Sequence, residues 1–329
     1  MKCMMKMTLL LLINGIPAVA QCGNTLNWLD TSCQAISSSQ QLTTAIVNGV
    51  NDPIAWTVIS RHGEYTQNET ECNVPTAISV ANSAVTINTT QSAYICGDFI
   101  ATPGATQGNI RTAPTSWPWS TGDLQWNTFN FQYGTVLINA KLPPKTDSLW
   151  PAFWLLTSGC QTSNKYTGDT SGSGTDPSCP NYGTSGYTEI DIDEWNPPQF
   201  HVANPGFSLG GGCDWTSPTE LDQNYHLWQM NWTPSAITLS IDGSLKTTCN
   251  TAISGNMFYI QQIQTSNSCA NTSWCSPGSM VVDFVKICSS SYTPAQCQNA
   301  PTNGSDSYVI FYDDFNPLPA SSGIVLILG

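Results

Sequence analysis

Residues 187–195 read YTEIDIDEW, and Glu189, Asp191, Asp193 and Glu194 fall within six positions of a chain of which only 9% is charged. Two carboxyls held a few ångströms apart can work on a C–O bond, one attacking while the other supplies a proton. Alternation along a strand would put Glu189, Asp191 and Asp193 on one face and insert Ile190 and Ile192 into a core, leaving Glu194 pointing the wrong way. One inserted residue, a β-bulge, brings Glu194 round to the face of Glu189 and Asp191 and turns Asp193 aside. The two glutamates then stand about four strand steps apart, ~13 Å between α-carbons, and side chains of ~4 Å leaning inward leave ~5–6 Å between the carboxyls. A separation of ~5–5.5 Å suits double displacement at the anomeric carbon of a sugar with retention of configuration. Two other readings compete: an acidic, solvated strand face and a calcium site. Like charges on one strand face repel, so a chain sparing with charge gains no stability by clustering them. Alternate strand residues rarely wrap one ion with six or more oxygens, and no metal is expected.

The elements that must position these carboxylates are strands. Short runs rich in Val, Ile, Thr and aromatics recur between Gly, Pro, Asn and Ser clusters, while long helical periodicity is scarce. AISVANSAVTINTT reads as two strands about a turn at Asn82-Ser83, and AITLSIDGSLKTTC as a hairpin turning at Asp242-Gly243. Further strands are expected in FNFQYGTVLINAKL, PAFWLL, YTEIDIDEW, YHLWQMNW, MFYIQQIQT and SMVVDFVKIC. So many strands with little helix to cover a parallel sheet imply an all-β fold, a jelly-roll sandwich of two antiparallel sheets. The polar stretch 157–186 reads as a long loop, either functional or disordered, that a disulfide could shape into a rim.

The chain begins with Lys2 and Lys6 before an apolar run from Thr8 to Ile13 and then Ala18-Val19-Ala20, the pattern of a cleaved secretory signal over residues 1–20. Cleavage there removes Cys3 and leaves 12 of 13 cysteines, an even number suited to disulfides in an oxidising compartment. Spacing does not fix their pairing; neighbours such as Cys72 with Cys96, or Cys160 with Cys179, are one arrangement, with Cys22 and Cys33 stapling a lead-in. Cys269 and Cys275 form the only close pair and lack the second pair or nearby His of a zinc site. Acidic residues number 22 against nine Lys and Arg, of which seven remain once Lys2 and Lys6 are removed. That balance argues against nucleic acid or an anionic membrane as partner and for a neutral or cationic one. Sequons at Asn68, Asn88, Asn231, Asn271 and Asn303 would mark surface positions in a glycosylating host. The chain divides into the signal (1–20), a lead-in (21–53), one large domain (54–290) and a tail (291–329) carrying YDDFN, either a closing strand or a truncated repeat.

The segment Glu189-Ile190-Asp191-Ile192-Asp193-Glu194 resembles the E-x-D-x-x-E signature of glycoside hydrolase family 16, the laminarinase-type group. Similar blocks follow that family's order: RHGEYTQNETECNVP, FNFQYGTVLINAKLP, SLWPAFWLL, YHLWQMNWTP, ITLSIDGSL and MVVDFVKI, from about Trp56 to Ile287. The resemblance implies a concanavalin-like jelly roll with an open concave cleft, Glu189 as nucleophile, Glu194 as general acid/base and Asp191 tuning both. It further implies that His201 reaches the sugar near the scissile bond and that Arg111 touches donor-side sugars. Trp150, Ala152 and Trp154 alternate onto one face, so both tryptophans are expected to border the cleft; Trp195 is a weaker candidate because its side chain can face the core. Two departures stand out: Leu137 and Asn139 replace a charged pair, and YDDFN lies near the end instead of the start. The implied activity is endo-hydrolysis of β-1,3- or mixed β-1,3/1,4-glucan by a secreted monomer without a cofactor. A transglycosylase on the same scaffold and a non-catalytic glucan-binding protein are the alternatives.

Overall fold

A computed structural model describes residues 36–39, 45–48, 50–52, 56–62, 70–96, 115–125, 129–144, 149–157, 189–194, 202–204, 215–217, 221, 224–265, 269 and 275–316. Two large sheets form a jelly-roll sandwich, antiparallel apart from one parallel pairing at residues 71–73 with 119–121. The front sheet runs in the order β15 (Trp215–Thr216), β14 (Val202–Asn204), β13 (Glu189–Glu194), β12 (Trp150–Thr157), β19 (Met257–Gln264) and β10 (Asp123–Gln125). It continues through β4 (Thr57–His62), β5 (Glu71–Asn73), β9 (Thr115–Thr121) and β8 (Thr90–Cys96), with β1 (Ile36–Ser39) on β4. The back sheet runs β18 (Ser244–Cys249), β17 (Ile237–Ile241), β16 (His226–Trp232), β11 (Gly134–Lys141), β20 (Ser279–Cys288), β21 (Val309–Asp313), β2 (Ala45–Val47) and β3 (Val50–Asp52). A hairpin of β6 (Ile78–Ala81) and β7 (Ala84–Asn88) joins β20.

Turn chemistry accounts for the hairpins. Asn82 and Ser83 both take φ 54°, and Asp242 and Gly243 take φ 51° and 74°, the paired positive values that match the twist of the flanking strands. Asp242 also accepts from the Leu227 backbone N–H at 2.9 Å and meets His226 Nδ1 at 2.6 Å, fixing the turn to β16. Gly134 opens β11 at φ 133°, where a Cβ would run into the carbonyl of Cys288. Between the sheets, alternate residues of each strand make one apolar core, including Trp56, Ile138, Phe153, Leu155, Ile190, Ile192, Trp228, Met230, Tyr259, Val285 and Phe311.

The lead-in and the tail both enter the sandwich. β21 lies between β20 and β2, so YDDFN contributes a closing strand, and the sheets extend beyond residues 54–290 on either side. Asp313 is buried and accepts from Trp56 Nε1 at 2.8 Å, while its other oxygen takes the Phe315 N–H at 2.7 Å. On the front sheet, buried Glu71 accepts from Thr265 N–H at 2.8 Å and Thr265 O–H at 2.7 Å, tying β5 to the end of β19.

The uncharged residues at 137 and 139 have a packing explanation. A short helix, α1 (Pro294–Asn299), lies on the outside of the back sheet, and Leu137 is buried beneath it with Cys288, Cys297, Ala300 and Val309. A charge at Leu137 would be desolvated there. Asn139 instead donates to Asp283 at 2.9 Å. The helix starts with a capping box between Thr293 and Gln296 and is stapled by the Cys288–Cys297 disulfide. Its C-terminal carbonyls end on Lys286, whose Nζ donates to the carbonyls of Cys297 (2.9 Å), Gln298 (3.2 Å) and Ala300 (2.9 Å). Lys286→Met keeps the stem and removes the donors, and should lower stability by about 1–3 kcal/mol. A urea unfolding series compared with wild type reads this directly; an unchanged midpoint would assign the closure of α1 to the disulfide alone.

Cys269 and Cys275 are joined to each other in a disulfide, and Cys72 and Cys249 each belong to a separate disulfide. Of the sequons, Asn88 and Asn231 are strand residues engaged in side-chain hydrogen bonds, whereas Asn303 is exposed on a loop. Residues 1–20, Cys22 and Cys33, Cys160 and Cys179, Asn68, Asn271 and the stretch 158–186 lie outside the described residues.

Candidate active site

The register of β12 against β13 decides which way each acidic side chain points. Leu156 stands opposite Glu189, Trp154 opposite Asp191, Phe153 opposite Asp193 and Ala152 opposite Glu194, with the register shifting between Phe153 and Trp154. Ile192 is the inserted residue, so β13 carries the expected bulge. Phe153, Leu155, Ile190 and Ile192 belong to the core between the sheets. Ala152, Trp154 and Leu156 instead join Phe258 and Ile260 in a separate apolar strip on the outer face of the front sheet. Glu189, Asp191 and Glu194 therefore share that outer face, with Asp191 between the glutamates. Because Glu189 and Glu194 oppose residues four apart on β12, their α-carbons are separated by four strand steps, ~13 Å.

The three differ in exposure. Glu189 and Glu194 are half-buried, while Asp191 is 3% exposed. Trp150 and Trp154 lie on the same face as Ala152, as alternation requires, and each is 6% exposed, much of its surface already covered. Arg111, Trp195 and His201 lie outside the described residues.

Polar side chains that sequence reasoning did not single out continue the floor. On β19, Gln262 stands opposite Ala152 and Gln264 opposite Trp150; on β10, Asp123 pairs with Gln262 and Gln125 with Ile260. All four are buried, and Gln125 Nε2 donates to Asp123 Oδ2 at 3.3 Å. The signal was present in MFYIQQIQT, where Phe258, Ile260, Gln262 and Gln264 fall on alternate positions, but which face they took depended on pairing with β12.

Asp193 follows the bulge into the sandwich interior, where it is completely buried. Burial, and secondarily the charge of Glu194, hold its carboxyl well above the ordinary aspartate range. Among the described residues, no group of three or more His, Cys, Asp or Glu is arranged to hold a metal ion, and no helix is long and apolar enough to cross a membrane.

Compared with family models and with curated proteins, the sequence matches none. Solved structures do match. The catalytic domain of an endo-1,3-β-glucanase (laminarinase) from Thermotoga petrophila superimposes with a TM-score of 0.51 at 16% identity, covering 77% of this chain and 97% of that one. The endo-β-1,3-glucanase of Pyrococcus furiosus gives 0.51 at 18%, covering 78% and 95%. A variant of LamA from Zobellia galactanivorans, in complex with laminaritriose and laminaritetraose, gives 0.52 at 18%, covering 77% and 98%. At these identities the likeness is one of fold.

Proposed function

We propose that this chain is a secreted, endo-acting glycoside hydrolase that cleaves β-1,3- or mixed β-1,3/1,4-glucan with retention of configuration. One observation carries the reading: the bulge at Ile192 brings Glu189, Asp191 and Glu194 onto a single outer face, on a fold shared with endo-1,3-β-glucanases. In this scheme the Glu189 carboxylate attacks the anomeric carbon while Glu194 gives its proton to the departing glycosidic oxygen. A covalent ester with Glu189 removes one negative charge from the site. Glu194, relieved of that neighbour, then takes a proton from water, whose oxygen displaces the ester and restores the starting state. Asp191, almost fully buried between them, is positioned to influence both carboxyls. Trp150 and Trp154 are assigned to the border of the cleft, where the little of each ring left uncovered can meet the C–H faces of a sugar, His201 to the sugar near the scissile bond and Arg111 to donor-side sugars. Only carboxyl groups and water take part in the bond-making steps.

Secretion is supported by the signal-like residues 1–20 and by the disulfides Cys269–Cys275 and Cys288–Cys297. Residues 54–290 are assigned to the catalytic domain, and the pairing of residues 45–52 and 309–313 into the back sheet supports counting these strands with it. The substrate assignment rests on the glucanase-like fold and on the family resemblance of the sequence blocks.

Sizing the products from laminarin, lichenan, agarose and carrageenan tests the reading. Laminarin or lichenan should yield short oligosaccharides early, across a range of lengths, as internal attack requires, and agarose and carrageenan should not be cut. Products longer than the starting chains would indicate transfer in place of hydrolysis. Retention of the protein on insoluble glucan with no sugar released from any polymer would make it a binding protein.

A further inference from the structure

Asp193 is the one carboxyl of the acidic strand for which the proposed reaction has no use. Phe153 of β12 stands directly opposite, and the Trp228 ring of β16 meets Phe153 edge-on with centroids 5.7 Å apart. Beyond Phe153, on β19, lies Gln261, whose Oε1 accepts from the buried Tyr259 hydroxyl at 3.0 Å. Neither Asp193 oxygen has a hydrogen-bond partner; the Trp228 indole N–H lies close by but falls short of hydrogen-bonding geometry and is itself unpaired. An ionised carboxylate in such a place is far less stable than the neutral acid, which packs much as asparagine or leucine would.

The same bulge produces this burial and the convergence of the glutamates. Ile192 and Asp193 both turn inward, which returns Glu194 to the outer face. If β13 alternated plainly, Asp193 would reach that face beside Glu189 and Asp191, and Glu194 would point away. The side chain that gains most by leaving the interior is thus the one whose departure re-aims the acid/base.

Building on the hydrolase reading, we propose that Asp193 is a positioning residue for Glu194: uncharged in the interior it seats the bulge, and on losing its proton it drives β13 toward plain alternation and swings Glu194 off the reacting bond. The packing around it is consistent with this role. β12 and β14 present no titratable side chain, β16 presents only His226, which is paired with Asp242, and β19 presents only Tyr259, whose buried phenol is pushed well up. On β13 itself Glu194 and Asp191 are acidic, and none of these strands carries a lysine or arginine to neutralise an ionised Asp193. Burial and the charge of Glu194 therefore act in the same direction, favouring the protonated form, and together outweigh the nearby Trp228 N–H, which favours the ionised one. The folded chain holds this proton more tightly than the unfolded chain. Its contribution to stability is full below the ordinary aspartate range and declines as pH rises toward the raised folded value, by up to tenfold in the folding constant per pH unit.

The test compares wild type with Asp193→Asn and Asp193→Leu, measuring urea unfolding from about pH 4 to about pH 9 and, on laminarin, kcat and KM over the same range. Wild-type folding should weaken with rising pH by up to tenfold per unit relative to both variants. The alkaline fall in kcat should move to higher pH in the variants with KM little changed. Parallel stability curves for all three would overturn the proposal. If neither variant folds, infrared spectra of wild type carrying 13C-labelled aspartate decide alone: a neutral-acid carbonyl band persisting at neutral pH supports it, and its absence overturns it. Stability and infrared readouts need no glucan, so a chain inactive on every polymer yet showing the pH-dependent difference would sink the hydrolase reading and leave Asp193 a buried neutral acid.

Discussion

Exchanging Glu189 for alanine should cut glucan hydrolysis by about 10⁴-fold or more, the scale seen when a covalent nucleophile is removed from a site whose other parts remain. The residue is half-buried on the outer face, so truncation to alanine leaves a small hollow in place of a cavity in the core, and the fold should survive. Azide supplies a decisive control. Entering from the side that Glu189 occupied, it would attack an activated aryl β-glucoside oligomer and displace the phenol, giving a glycosyl azide of inverted, α configuration. Proton NMR of the anomeric centre distinguishes that product. Hydrolysis at near wild-type rate, or an azide product of β configuration, would remove Glu189 from the nucleophile's role.

Glu194→Ala should behave differently at each step, which makes it the more informative companion. Hydrolysis of polymer should fall by about 10²–10⁴-fold, because a sugar alkoxide is a poor leaving group without a proton donor. An aryl glycoside with an acidic phenol needs no such help to depart, so its first step should be nearly unimpaired. Water would then lack its base, and the glycosyl ester on Glu189 should accumulate, seen as an initial burst of phenol and as added mass on the intact protein. Azide, which needs no base, should rescue this variant with a β product. If Glu194→Ala slowed aryl and polymeric substrates equally, the acid/base would have to be sought elsewhere on the face.

The strand count and several turns were legible because they rest on local chemistry. Asn82-Ser83 and Asp242-Gly243 announce their hairpins through residues tolerant of positive φ. The bulge was legible for a similar reason: with Ile190 and Ile192 in the core, plain alternation could not bring Glu194 onto the face of Glu189, and an inserted residue could. What remained hidden depends on partners far along the chain. Leu137 looked like a lost charge until α1 was found lying over it, and nothing within YGTVLINAK encodes that cover. The face assigned to Gln262 and Gln264 is set by β12, more than a hundred residues earlier in the sequence. Asp193 was readable as turned aside, but not as stranded, because the aromatic rings that surround it come from two other strands.

The placement of β21 has a kinetic side. Its Asp313 meets Trp56 across 257 positions of sequence, and the strand completes a seam with β2 that no neighbouring segment can supply. Bringing such distant stretches together costs chain entropy before any contact repays it, which is the hallmark of slow-forming β topologies. Until residue 313 has been synthesised, β20 keeps a bare edge along Val285–Cys288, open to association with other nascent chains. Pairing along that edge of β20 therefore waits until residues 309–313 have been made.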